Sequence, residues 1–245
     1  MNTIETRRPT RICITRAIER AGWHGCVVLE PQPPADPAAL EAAAAQLGVY
    51  DWLVCASPRA VSALRERRGP APWPERLRTA AVGAATARAL HEAGAAAPPL
   101  TGPGDGAASL WARLADVTDW PDQRVLILTT PGGLTVLADH LTGAGARVEV
   151  VEAYAMRPRA ATDIRHDWAI AEPDAVVVTS PRSADVLVGA IGSAALVRPW
   201  VVAIGDTTSE RLRGLAIPHD VAPTADLDRL APWLESRLQA AEATS

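Results

Sequence analysis

Residues 174–187, DAVVVTSPRSADVL, decide the fold because they occur twice. Residues 51–64 read DWLVCASPRAVSAL, and at a constant offset of 123 residues the two segments share Asp, Val, Ser-Pro-Arg and a closing Leu. In each, an apolar run leads into Ser-Pro-Arg and then into small and apolar residues at helical spacing, which predicts strand, turn and helix. Ser57 and Ser180 suit the N-cap, and Pro58 and Pro181 suit the first helical position, where a missing N–H costs nothing. A turn of this kind offers free backbone N–H groups to an anion.

Outward from this stretch the echo continues. Ala81-Val82-Gly83 with Thr86 and Leu90 matches Ala203-Ile204-Gly205 with Thr208 and Leu212 at an offset of 122. A third echo is circularly displaced: Arg124-Val125 and the later Ala144-Gly145 resemble Arg11-Ile12 and Ala21-Gly22. Strands alternate with helices throughout, so the fold class is α/β with parallel sheets. The displaced echo assigns the N-terminal unit to the C-terminal half. One domain then comprises about residues 1–31 plus 158–245, and a second, about 35–149, is inserted in it, with connectors near 27–32 and 150–157. Two extended crossings make a hinge, with a cleft between the domains. Ligands of open α/β sheets bind at the carboxyl ends of strands, where every duplicated turn falls.

Some local readings are less regular. The arginine-rich stretch 65–78, with Gly69 and three prolines, reads as a solvated loop, and 98–106 also reads as loop. Thr207 with Glu210 three residues later makes a capping box, so a helix is expected to open there. A last helix is expected over 226–240.

Composition excludes several classes of function. Of 245 residues, 48% are hydrophobic and 21% charged, an ordinary globular balance. No apolar run approaches the roughly 20 residues of a membrane span, and MNTIETRRPTR lacks the apolar stretch of a secretory signal, so a cytoplasmic protein without a membrane partner is expected. The 24 basic residues are all arginine, which excludes a lysine Schiff base and a Walker A lysine. The net charge of −4 argues against nucleic-acid binding. Cys13, Cys26 and Cys55 lie in apolar runs without CxxC spacing and read as buried thiols. The five histidines are scattered, so no metal is expected. Nothing demands more than a monomer.

With these residues in view, the chain resembles the uroporphyrinogen-III synthase family. The likeness lies in residues 51–64, 81–94, VEVVEAYAMRP at 148–158, 174–187 and AIGDTTSERL at 203–212. It implies two flavodoxin-like α/β domains, one inserted in the other and joined by a two-stranded connector with a cleft between them. It also implies cofactor-free conversion of hydroxymethylbilane to uroporphyrinogen III. In that reaction the ring A hydroxyl leaves to give an azafulvene, ring D attacks through its substituted carbon, and the spiro intermediate recloses with ring D inverted. A substrate with eight carboxylates suits helix N-termini and arginines.

By the same resemblance Tyr154 is the donor to the departing hydroxyl; alternatively it packs against the connector. Thr207 and Thr208 match the family's Thr-Thr turn and Ser180 its Ser-Pro turn, as caps, carboxylate ligands or both. Ser57, Gly83 and Thr86 hold the equivalent places in the inserted domain. Arg16 either faces the cleft or is solvated, and Arg59 and Arg182 read as solvated.

Three departures from the family pattern stand out. The first βα unit, Arg11 to Gly22, is about ten residues shorter than its twin, Arg124 to Gly145, and AIERAG can form at most about a turn and a half of helix. The 129–133 turn, Thr-Thr-Pro-Gly-Gly, carries no charge, and Asp206 follows Gly205 where a polyanion would bind. Two other readings therefore stand beside the cyclase: a synthase-like paralogue acting on another small anionic substrate, and a non-enzymatic ligand-binding sensor.

Overall fold

The computed structural model describes residues 11–18, 20–104 and 106–243. In chain order the strands and helices are β1 (Ile12–Ile14), β2 (Trp23–Gly25), β3 (Leu29–Gln32), α1 (Pro37–Ala45), β4 (Trp52–Cys55), α2 (Pro58–Arg68), β5 (Arg78–Ala81), α3 (Ala84–Glu92), β6 (Leu100–Thr101), α4 (Ala107–Leu114), β7 (Arg124–Thr129), α5 (Thr135–Gly143) and β8 (Arg147–Glu152). There follow β9 (Ala155–Pro158), α6 (Ala161–Ala171), β10 (Ala175–Val178), α7 (Pro181–Ile191), β11 (Trp200–Ala203), α8 (Asp206–Gly214), β12 (Asp220–Val221) and α9 (Leu227–Ala243).

The chain divides into two compact units, Met1–Glu30 with Arg157–Ser245, and Pro31–Met156. A two-stranded ribbon of β3 and β9 lies where the chain passes from one to the other. The discontinuous unit has a five-stranded sheet in the order β12-β11-β10-β1-β2, and the continuous unit has one in the order β6-β5-β4-β7-β8, every pair parallel. Read from β2, the first is the 2-1-3-4-5 order of flavodoxin-like sheets. The second has the same spatial order, but its third, fourth and fifth strands come first along the chain, which is the displacement the echo between Arg124 and Arg11 announced.

The repeated aspartate has a structural purpose. Asp51 accepts a hydrogen bond from the backbone N–H of Arg124 through Oδ2 (2.8 Å), and Asp174 accepts one from Arg11 through Oδ2 (3.0 Å). Each carboxylate thus pins the start of the neighbouring central strand, β7 or β1. The repeated turn forms as expected: Ser57 and Ser180 are extended N-caps whose Oγ atoms accept from the N–H of Ala60 (3.2 Å) and Ser183 (3.0 Å), each followed by proline in the first turn.

In the continuous unit Leu40, Leu47, Leu64 and Leu90 fill one face of the sheet beneath α1–α3, and Leu110, Leu114, Leu137 and Leu141 fill the other beneath α4 and α5. In the discontinuous unit α6–α8 cover one face with Ile164, Leu187 and Leu212. Its other face, with Ile12, Ile14 and Val177, is covered among the described residues by α9 alone, through Leu230, Leu234 and Leu238. No helix, and so no counterpart of α5, forms among the described residues of 17–22.

Four local features add to or correct the sequence reading. Residues 65–68 belong to the last turn of α2, because Arg68 reaches back to the carbonyl of Ala44 (3.0 Å) and forward to that of Pro72 (2.6 Å), and the helix stops at Gly69, whose φ is +60°. The 98–106 loop contains β6, paired in parallel with β5. The stretch 147–158 is two strands, broken at Ala153-Tyr154. The Thr207–Glu210 capping box does not form: Gly205 is the N-cap of α8 without a side-chain cap bond, and Thr207 already lies inside the helix.

Candidate functional site in the strand-end turns

All strands within a sheet run the same way, so the turns after them collect along one edge. In the continuous unit this edge carries Ser57 after β4, Gly83 after β5 and Tyr154 after β8. The Ala153 N–H still donates to the carbonyl of Thr129 (2.8 Å), extending the ladder, and Tyr154 is the first residue past it. Ala153 and Ala155 are buried and Tyr154 between them is half-buried.

Tyr154 and Ser57 are brought together here, Oη 3.1 Å from Oγ, across the intervening strand β7. The Arg59 guanidinium lies over the Tyr154 ring, 5.8 Å from its centroid, a distance at which a cation feels the ring's negative face. Arg59, one residue past the turn, was read as merely solvated. A proline-walled cavity of about 470 Å³ opens beside the pair, lined by Tyr154, Arg59, Arg67, Ala153, Pro31 and Pro34 among others. Tyr154 also packs against the core of its unit.

The Gly83 cap of α3 is extended, with φ of −157°. Thr86, three residues on, is 4% exposed and faces inward. Its backbone N–H already donates to the carbonyl of Gly83 (3.1 Å) and its hydroxyl is buried, so neither group is offered to a ligand.

In the discontinuous unit β1, β10 and β11 are neighbours, so the turns bearing Arg16, Ser180 and Gly205 follow one another along the edge. Arg16 is exposed. Ser180 Oγ contacts Ser183 Oγ at 2.8 Å. Of the threonine pair, Thr207 is exposed and Thr208 is 1% exposed, so only Thr207 has an accessible hydroxyl. Asp206 stands exposed in the first turn of α8, where its carboxylate already answers the helix dipole.

Sequence reading missed Thr15 and Thr179. Their hydroxyls lie 3.0 Å apart, and Thr15 Oγ1 also accepts from the backbone N–H of Thr179 at 3.0 Å, stitching the β1 turn to the β10 turn. Thr15 was visible as part of Thr15-Arg16, but nothing local ties it to a residue 164 positions away.

Among the described residues no three His, Cys, Asp or Glu side chains are placed to hold a metal ion, and no helix is long and apolar enough to cross a membrane.

No protein with a curated description matches the chain in sequence. Solved structures that resemble it in fold include two synthases. Uroporphyrinogen III synthase of Thermus thermophilus, in a methionine-substituted variant, aligns at 20% identity and a TM-score of 0.59 over 94% of this chain and 99% of that one. The uroporphyrinogen-III synthetase of Helicobacter pylori aligns at 17% identity and 0.65 over 93% and 99%. The family model "Uroporphyrinogen-III synthase HemD" matches residues 14–231, which takes in both strand-end edges, their turns and the ribbon between the units, and the chain belongs to that family.

Proposed function

We propose that the chain cyclises hydroxymethylbilane to uroporphyrinogen III with inversion of ring D, without a cofactor. The observation that carries this reading is the family match over residues 14–231. The substrate has eight carboxylates, and the strand-end turns supply helix N-termini whose N–H groups bind anions without moving a proton. Ser57 and Gly83 do so in one unit, with Thr86 buried behind them, and Ser180, Thr207 and Thr208 in the other, with Arg16 adding a charge. Spontaneous closure of the bilane gives the uninverted isomer, so much of the catalysis is positioning.

Tyr154 is the proton donor to the departing hydroxyl. Ser57 Oγ accepts from the Ala60 N–H, which leaves its own proton to donate to Tyr154 Oη and frees the phenolic proton for the substrate. The Arg59 guanidinium favours the negative charge that develops on the tyrosine oxygen as the proton leaves. Within the same proposal the enzyme works as a monomer, in the cytoplasm and without nucleic acid.

The test is to supply purified protein with hydroxymethylbilane generated in situ and to separate the product isomers. An excess of isomer III over the spontaneous isomer I is expected, and isomer I alone would overturn the reading. Asp206 in the α8 turn and the absence of a helix among the described residues of 17–22 favour a second reading, a family member acting on a different small anionic substrate. It predicts isomer I alone together with saturable binding of another polycarboxylate.

A further inference from the structure

Cys13 sits in β1, and Cys26 directly follows β2, the neighbouring strand in the sheet. Cys13 pairs across the ladder with His24, and Cys26, two residues further on, returns to the same face. Both are buried, at 0% and 3% exposure, and their Sγ atoms are 2.7 Å apart. A thiol is a weak donor and a weak acceptor, so hydrogen bonding gives two sulfurs little reason to approach so closely. Cys55, in the other unit, is buried without a sulfur neighbour among the described residues and serves as an internal control.

The surroundings give a bond here a purpose. Parallel neighbours usually need a crossover of a dozen or more residues, most often a helix. The twin connection from β7 to β8 has α5, whereas β1 and β2 are joined by residues 15–22 with no helix among those described. β2 is therefore an edge strand of three residues, held on one face through Trp23 against the α9 layer but with no crossover helix among the described residues of its connection to β1. A cross-link at its carboxyl end would close a loop of about 14 residues and fasten the turn that carries Arg16.

We propose that Cys13 and Cys26 are an oxidisable pair that closes into a disulfide, with a small peroxide as the two-electron acceptor. Cys26, the less buried sulfur, attacks one peroxide oxygen as thiolate. The O–O bond breaks, the other oxygen leaves as water, and Cys26 becomes a sulfenic acid. Cys13 then attacks the Cys26 sulfur, the S–O bond breaks and a second water departs. The two thiol protons end in the two waters, and both sulfurs are oxidised by one electron each. The adjoining Cys26 sulfur and burial push the Cys13 thiol far above its ordinary range, so the first attack, on the peroxide, is assigned to Cys26. Burial also restricts the reaction to small oxidants.

The experiment uses the full chain, fully reduced, then exposed to hydrogen peroxide, quenched, denatured and alkylated. Before alkylation an intact mass lower by about 2 Da than that of the reduced chain is expected, and after it one alkylated thiol; a Cys55→Ala chain should yield a tryptic peptide pair joining residues 12–16 to 21–59. The oxidised protein should melt roughly 5–10 °C above the reduced one, and dithiothreitol should reverse the shift. Three alkylated thiols after peroxide, or sulfinic and sulfonic adducts on single cysteines without a linked peptide, would overturn the proposal. The chemical readouts are taken on chains with both sulfurs in place, so they do not depend on whether Cys13→Ser folds.

Discussion

Tyr154→Phe removes one proton and one oxygen from the strand-end edge and keeps the ring that packs on the core. On the proposed donor role, turnover of the bilane should fall by about 10²-fold with KM little changed, the size expected of a lost general acid. Ser57→Ala should slow turnover too, because in that proposal Ser57 acts through Tyr154, and should cost about 0.5–2 kcal/mol of stability through the lost helix cap. In the double variant the kinetic losses should fall short of additivity, while the melting curve still reports the cap. Asp206 works the other way: Asp206→Asn removes a competing carboxylate from the α8 terminus, and KM for the polycarboxylate should drop roughly two- to fivefold.

Tyr50 gives a prediction in pH. Its hydroxyl donates to Glu149 Oε2 at 2.6 Å, and burial, then the carboxylate, push the phenol well above its ordinary value of 10.0. A pKa raised in the folded state means a contribution fully present below about pH 10 and lost as pH rises beyond it. Tyr50→Phe should therefore flatten the alkaline loss of stability, read from urea midpoints at pH 8 and pH 11. Sequence could name Ser57, because cap chemistry is local, and Tyr154 through the family resemblance. It could not pair them, since 97 residues separate two hydroxyls that meet only once β4, β7 and β8 lie side by side. The burial of Thr86 and Thr208 escaped it for a related reason: each is the third residue of its helix, and the cap that fixes the inward face is a glycine with no side chain to read.

At the scale of elements, α9 stands where the continuous unit has two helices. Leu234 is fully buried in that layer, so Leu234→Ala should cost about 2–5 kcal/mol, seen as a lower urea midpoint with an unchanged slope. The strands that sequence found, β4, β7, β10 and β11, are four to six residues of apolar run ending in a turn signal. The ones it missed, β6 and β12, are two residues each, too short for any period to register, and exist because a longer neighbour offers an unpaired edge. The start of α8 lies two residues before the one its spacing predicts, since Thr207 and Glu210 have the spacing of a cap but the N-cap is Gly205 and the backbone has already entered the helix at Asp206.

At the scale of the whole molecule, the two units differ in how the chain supplies them. Pro31–Met156 is one unbroken stretch with helices on both faces of its sheet. Expressed alone it should fold and give a single cooperative urea transition followed by circular dichroism, whereas neither segment of the other unit has a complete sheet to offer by itself. The displaced echo made this organisation legible, because a repeat of sequence at an offset near half the chain carries its own topology.

The strand order has a consequence for ancestry. Joined head to tail and reopened between Met156 and Arg157, the chain would run through β10, β11, β12, β1 and β2, then through β4, β5, β6, β7 and β8. Both halves would then recite the same cycle, third, fourth, fifth, first, second, with the ribbon strands at the seams. What looks like one domain interrupted by another is, on a closed ring, a plain tandem duplication. The interruption is a property of where the ring is cut, and a circularly permuted gene opened at that seam would encode two consecutive copies of one ancestral module.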